Sequence, residues 1–161
     1  MSPNELKPIP DGYRRITPAL VVDGGAKALE FYAEVFDATE RMRFPGPDGS
    51  IAHAELQIGD SVVIVEDASP YMGTKAPPAG GLEGSPTFLF IYVEDVDAVI
   101  ERAVKLGATL RRPPQDQFYG DRDGGVEDVA GNWWWIATHK EDLPVAEIER
   151  RAREFEGERR R

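Results

Sequence analysis

His53 and His139 are the only imidazoles in the chain, and the absence of cysteine excludes thiolate nucleophiles and thiolate metal ligands. If Gly59 and Asp60 form a two-residue turn between strands, the register sets His53 opposite Glu66 on one face. That pair could bind a metal or act as a general base held by a carboxylate, or it could be only a cross-strand polar pair. No catalytic residue is assigned, and His53 and Glu66 are the candidates.

Three consecutive tryptophans, Trp133 to Trp135, stand in an apolar run. Side chains alternate between the two faces of a strand, so Trp133 and Trp135 share one face and Trp134 takes the other, toward a helix. With Phe88 and Phe90 from another predicted strand, they would line an aromatic pocket suited to flat or cationic organic ligands. The alternative is that these rings only fill a cavity.

Tyr119, Asp121 and Arg122 fall in a glycine-bounded stretch, and the sequence predicts a turn-rich loop over Gly120–Gly125. Arg122 could bind a ligand carboxylate or phosphonate. The alternative is a surface ion pair with Asp121 or Asp128. We therefore take Tyr119 and Arg122 as candidate ligand-binding residues.

The remaining polar groups predict no chemistry. We expect Arg111 and Arg112 to be solvated. His139 ends the last predicted strand with Asp142 close by, which favours a hydrogen bond at the strand end over catalysis.

The elements that must position these residues occur twice. Apolar strand-like runs break at Asp23 and at Asp95, and each continues as a helix with apolar residues three and four apart. Gly59 and Gly131 each precede a later strand, and both pairs are separated by 72 residues. Two matches at one offset predict two copies of a β-α-β-β-β unit that superpose in this register.

The predicted boundaries are 1–13 for an irregular N-terminal segment, 14–69 for the first module, 70–86 for a linker, 87–142 for the second module and 143–161 for a C-terminal helix with a charged tail. The strand at Thr87–Val93 is apolar on both faces, which predicts a central place in a sheet. The apolar spacing near the C-terminus predicts an amphipathic helix that docks on this domain or on a partner subunit.

The composition limits the classes of partner. An apolar content of 41% with 30% charged residues is typical of a globular protein. The net charge of −10 gives no basic surface for phosphates, so we expect no nucleic-acid partner. The sequence contains neither an apolar run of membrane-span length nor a signal-peptide core, so we expect no membrane association and a cytoplasmic location.

Several segments resemble the vicinal oxygen chelate superfamily of glyoxalases, bleomycin-resistance proteins and extradiol dioxygenases. They are Ile16–Val22, His53–Leu56, Ile58–Ser61, Phe118–Arg122 and Asp128–His139. The Tyr-Gly-Asp-Arg and Trp-Trp-Ile-Ala-Thr-His segments are similar to the PhnB-like subgroup. The resemblance covers about residues 14–142. It implies an α+β fold of two β-α-β-β-β modules that form a curved mixed sheet around a shared cavity, and it implies a homodimer.

Metal-dependent members of that superfamily carry one ligand on each of four strands. The repeat places those positions at Ile16 or Thr17, Val63, Phe88 and Trp135. None offers imidazole, carboxylate or thiolate, and Thr17 has only a hydroxyl group. We therefore expect no metal and no other cofactor.

The expected function is metal-independent binding of a small organic molecule, in the manner of the bleomycin-resistance branch. One alternative is a divalent-metal lyase or dioxygenase that uses His53, Glu66 and further non-standard ligands. Another is a structural or interaction module with a filled cavity. The fold alone does not separate these alternatives, because function belongs to sites, so whether the protein is an enzyme stays open.

Overall fold

The structure, a computed structural model, describes residues 6–161. The chain is an α+β protein whose two compact units divide between Gly80 and Gly81. Each unit contains one β-α-β-β-β module with a four-stranded mixed sheet. The predicted α+β class with two such modules is confirmed. Residues 1–5 of the predicted N-terminal segment lie outside the described residues.

The first unit follows the predicted order of elements. They are β1 (Ala19–Val22), α1 (Gly25–Phe36), β2 (Thr39–Pro45), β3 (Ile51–Ile58) and β4 (Ser61–Asp67). Gly24 has a φ of +88°, a left-handed conformation that favours glycine and lets the chain turn from β1 into α1. Ile58 pairs with Ser61 across the turn, as predicted.

The second unit repeats this order and adds a C-terminal helix. Its elements are β5 (Leu89–Tyr92), α2 (Val96–Lys105), β6 (Thr109–Asp116), β7 (Asp121–Glu127), β8 (Trp133–His139) and α3 (Val145–Arg159). The side chain of Asp95 caps α2 by accepting a hydrogen bond of 3.0 Å from the backbone N–H of Ala98.

The two sheets have equivalent strand orders, β1-β4-β3-β2 and β5-β8-β7-β6. In each sheet the first two strands of that order are parallel and the other neighbours are antiparallel. Helix α1 packs on β3 and β4, and α2 packs on β6, β7 and β8. Each sheet therefore has a helix face and a second face that is turned away from its own helix.

The predicted offset of 72 residues is wrong by one. The buried positions of α1 recur 71 residues later in α2, where Ala28 and Leu29 correspond to Val99 and Ile100. The two fully covered side chains of β4, Val63 and Val65, likewise recur 71 residues later as Trp134 and Ile136. An odd shift exchanges the faces of a strand. Val63 therefore lies on the helix face, and Ile64 is the counterpart of Trp135.

The predicted loop at Gly120–Gly125 is wrong, because most of this stretch belongs to β7. Its glycines serve packing. A Cβ on Gly124 would lie 2.6 Å from Cδ1 of Ile100 on α2, so only glycine lets the helix approach this closely. The central position predicted for Thr87–Val93 is also wrong, since β5 stands at the end of its sheet order. Its second apolar face is an exposed one.

Helix α3 confirms the predicted C-terminal helix, but none of its residues is buried. The Phe155 ring lies 5.4 Å from the Phe118 ring of the same unit, centroid to centroid, so the helix contacts its own unit there. Docking on a partner subunit stays a prediction. Within residues 6–161, neither α3 nor any other helix combines the length and the apolar character needed to cross a membrane.

Candidate functional site

The second face of the β5-β8-β7-β6 sheet carries the aromatic residues singled out in the sequence. Phe90 lies beside Trp135 in the parallel register of β5 and β8, and Leu89 lies beside Trp134. Alternation along both strands puts Phe88, Phe90, Trp133 and Trp135 on the face turned away from α2, which we call the aromatic face. Trp134 is only 2% exposed and lies on the helix face. The predicted separation of the three tryptophans is confirmed.

The rings of the aromatic face are open to solvent at β5. Phe88 is 55% exposed and Phe90 is 46% exposed. The Phe88 ring lies 5.9 Å from the Trp135 ring between centroids, and the Phe90 ring lies 5.3 Å from that of Tyr92. These rings form a continuous apolar surface that water contacts, which is costly unless another molecule covers it.

Two arginines of β6 cover the indoles of this face. The guanidinium carbon of Arg111 lies 5.1 Å from the Trp133 ring centroid, and that of Arg112 lies 5.3 Å from the Trp135 centroid. A register shift between Leu110 and Arg112 lets two consecutive side chains reach one face. The expectation that Arg111 and Arg112 are solvated is therefore wrong. No local pattern in the sequence indicates the shift.

A row of acidic side chains on β7 lies beneath these groups. Asp121, Asp123 and Glu127 are buried, and their positions alternate onto the aromatic face. Glu127 accepts hydrogen bonds from Arg111 and from Nε1 of Trp133, the latter at 3.2 Å. Sequence reasoning missed this row, because the glycines of β7 indicated a loop.

The two aspartates are each held by a pair of donors. Asp121 accepts from the Tyr92 hydroxyl at 2.9 Å and contacts Nδ1 of His139 at 2.7 Å. Asp123 accepts from the Tyr119 hydroxyl and from Nε2 of Gln117. The hydroxyl of Tyr119, a predicted ligand-binding group, is thus already given to a buried carboxylate. Burial and this carboxylate raise the pKa of Tyr119 above its usual range.

His139 sits at the edge of the aromatic face. Its Nε2 lies 2.8 Å from Oδ1 of Asp142, which confirms the predicted contact at the strand end. The carboxylates of Asp121 and Asp142 raise the pKa of His139, because both stabilise the imidazolium form. The sequence indicated Asp142 because it is three residues away. It did not indicate Asp121, which arrives from β7.

Arg122 lies on the other side of the sheet. It pairs with Thr138 on the helix face, and its Nε and Nη2 donate to both carboxylate oxygens of Asp97 at 2.7 and 2.8 Å. Its Nη1 lies 3.3 Å from Asp116. The predicted loop position and the predicted pairing with Asp121 or Asp128 are wrong. The role of Arg122 in ligand binding stays a prediction, with its guanidinium already held by two carboxylates.

The first unit confirms the predicted pairing of His53 with Glu66. Nδ1 of His53 lies 2.9 Å from Glu66, and Nε2 lies 3.2 Å from Glu55. These side chains, with Ile64, define what we call the histidine face, the second face of the β1-β4-β3-β2 sheet. Glu66 and Glu55 raise the pKa of His53 against the effect of desolvation. Both ring nitrogens are therefore occupied.

The side chains present do not fit the metal centre that the family resemblance implies. With the offset of 71 residues, the four ligand positions fall at Thr17, Ile64, Phe88 and Trp135. Hydrocarbon, aromatic and hydroxyl groups are poor ligands for divalent transition metals. Within residues 6–161, no three histidine, cysteine or acidic side chains are arranged to hold a metal ion.

Comparison with known proteins gives a consistent result. Residues 15–136 match the Glyoxalase/Bleomycin resistance protein/Dioxygenase superfamily. An uncharacterized protein of Mycobacterium bovis is 40% identical over 135 residues, which span 83% of this chain and 89% of that protein. The crystal structure of TioX from Micromonospora sp. ML1 is 27% identical with a TM-score of 0.59, over 78% of this chain and 98% of TioX. The PhnB protein from Bacillus cereus, 18% identical with a TM-score of 0.60 over 78% and 99%, shares the fold.

Proposed function

The chain belongs to the Glyoxalase/Bleomycin resistance protein/Dioxygenase superfamily, and we propose that it binds a small planar organic molecule on the aromatic face without a metal ion. One observation carries the proposal. Phe88 and Phe90 remain about half exposed beside Trp135, although large aromatic side chains gain most from burial. A planar ligand that stacks on these rings would remove their apolar surface from water.

The support for metal independence is the chemistry of the four ligand positions. Thr17, Ile64, Phe88 and Trp135 offer no imidazole, carboxylate or thiolate. A metal enzyme built on His53 and Glu66 would need His53 to release a carboxylate from one of its ring nitrogens before it could coordinate an ion. The aromatic face needs no such rearrangement.

Calorimetric titration of planar aromatic probes tests the binding. Phe88→Ala and Trp135→Ala should each weaken a stacked probe by about 1–3 kcal/mol, roughly five- to 150-fold in affinity. Trp134→Phe is the matched control, because this ring lies on the helix face and its loss should leave affinity within about twofold. Equal losses at Trp134 and Trp135 would contradict the site.

Elemental analysis of protein purified without chelator tests the second part of the proposal. We expect no stoichiometric zinc, nickel, iron or manganese, and no effect of EDTA on probe affinity. One equivalent of metal per chain that disappears in His53→Ala would instead support a metal-dependent enzyme. Failure of every planar probe to bind would support a structural or interaction module.

We further propose that the chain forms a homodimer and has no nucleic-acid partner. The support for a homodimer is the resemblance to a superfamily whose members pair, together with the exposed apolar residues Val145 and Phe155 on α3. The net charge of −10 supports the exclusion of nucleic acid. Sedimentation equilibrium decides the first point, and a mass of 17.8 kDa at all concentrations would contradict it.

A further inference from the structure

The charged groups of the aromatic face have partners of opposite charge or hydrogen-bond donors, with one exception. Arg111 is paired with Glu127, and the buried aspartates are each held by two donors. Arg112 lies over the Trp135 ring, half-buried on the same face. Across residues 6–161, no carboxylate lies within ion-pair distance of its guanidinium. A partly desolvated cation without an anion is costly, so this position favours an anionic ligand.

The geometry places that cation beside the surface that would hold a ring. Trp135 contacts both Arg112 and Phe88, and the exposed part of Phe88 continues the same surface. A guanidinium is planar and can donate two parallel hydrogen bonds to one carboxylate. A planar ligand stacked on Phe88 and Trp135 would thus bring a carboxylate on its edge within reach of Arg112.

A cationic ligand is the opposite choice, because Asp121, Asp123 and Glu127 lie on the same face. Each of these carboxylates is buried, and each already accepts two hydrogen bonds from side chains. A cation would have to displace one of those donors and leave it unpaired, which costs free energy. An anion at Arg112 displaces no ion-pair partner, so the anion is favoured.

We propose that the ligand is a planar aromatic carboxylate, with its ring against Phe88 and Trp135 and its carboxylate bound by the guanidinium of Arg112. This inference rests on the proposed function and adds the charge of the ligand and the residue that selects it.

Three matched probes on one ring system test the charge: 2-naphthoic acid, 2-naphthalenemethanol and 2-naphthylmethylamine, titrated calorimetrically at neutral pH into the full chain. The acid should bind on the order of 10- to 100-fold more tightly than the neutral alcohol, because a charge-assisted hydrogen bond is added. The amine, which is cationic at this pH, should bind most weakly.

Three variants test the residue. Arg112→Gln should reduce the affinity for the acid to about that for the alcohol and leave the alcohol within about twofold. Arg112→Lys should retain part of the preference, since it keeps the charge but loses the planar pair of donors. Arg153→Gln removes the same charge from an exposed position on α3 and should change nothing. Circular dichroism checks that each variant folds.

The outcomes separate the two proposals. Equal binding of the acid and the alcohol by the wild-type protein overturns this inference but keeps the proposed function, and so does an equal loss for all three probes in Arg112→Gln. If that variant fails to fold, Arg112→Lys and the wild-type series still decide. Tighter binding of the amine than of the acid would assign selectivity to the acidic row instead. Failure of all three probes to bind overturns the proposed function, and this inference with it.

Discussion

The aromatic face and the histidine face occupy equivalent positions in two sheets of the same strand order, yet their chemistry differs. In the first unit Ala19 lies beside Ile64, and 71 residues later Phe90 lies beside Trp135. The first unit thus has small or aliphatic side chains where the second has large rings. The helix faces of both units stay apolar. The repeated backbone constrains packing against the helix and leaves the other face free to differ.

The two faces also differ in how their charges are balanced. On the histidine face, the His53 ring lies between two glutamates, and Glu55 also accepts from Tyr13 and faces Arg41. That network is closed on itself. The aromatic face leaves the Arg112 cation without a carboxylate partner within residues 6–161. Unbalanced charge beside exposed rings indicates a binding site, whereas a closed network indicates a structural role.

The largest expected effect separates the two faces of β8. Trp134→Ala should lower the free energy of unfolding by about 3–5 kcal/mol, because it leaves a cavity under α2 and removes the 2.8 Å hydrogen bond to Asp128. Trp135→Ala should cost less than half as much and act on ligand affinity instead. Urea unfolding followed by circular dichroism measures both. Equal destabilisation would show that the face assignment is wrong.

Adjacent glycines of β7 give a sharper version of the same test. Gly124→Ala should destabilise the fold by about 1–3 kcal/mol, because its Cβ would lie 2.6 Å from Ile100 and 2.8 Å from the backbone oxygen of Arg112. Gly125→Ala meets only the Trp135 ring at 3.0 Å, which can shift. It should change tryptophan emission and probe affinity more than stability. The reverse ranking would contradict the proposed division of labour.

The closed network on the histidine face should make stability depend on pH. Glu66 and Glu55 raise the pKa of His53 in the folded state, so its contribution is full below about pH 6.5 and is lost as the pH rises through the folded-state pKa. Glu66→Gln should therefore cost about 1 kcal/mol at pH 5.5 and less at pH 9. Glu94→Gln, at an exposed position, serves as the control. A cost that does not change with pH would exclude the ionic pairing.

The smallest effect is expected at Arg122. Its ion pair with Asp97 is partly exposed, so Arg122→Gln should cost about 1 kcal/mol or less in stability. Asp97→Asn should cost a similar amount, since it removes the same pair. Neither change should alter the affinity for aromatic probes by more than about twofold. A tenfold loss of affinity in Arg122→Gln would restore Arg122 as a ligand-binding residue.

Local pattern was enough to predict several parts of the site. The short turn at Gly59 fixes the register that brings His53 to Glu66, and the period of two along a strand separates Trp134 from its neighbours. The helix at Gly25–Phe36 follows from its apolar spacing. These features depend on residues near one another in the chain, so the sequence contains the necessary information.

Sequence by itself determined the order of the elements, the two-module α+β fold and the residues that the aromatic face carries. Tertiary structure alone decided that β7 is a strand despite its glycines, because α2 approaches Gly124 closely. It also decided that Arg112 covers Trp135 and that Arg122 faces Asp97. A register shift or a change in loop length moves a side chain to the other face of a sheet, and pairing between distant segments sets both.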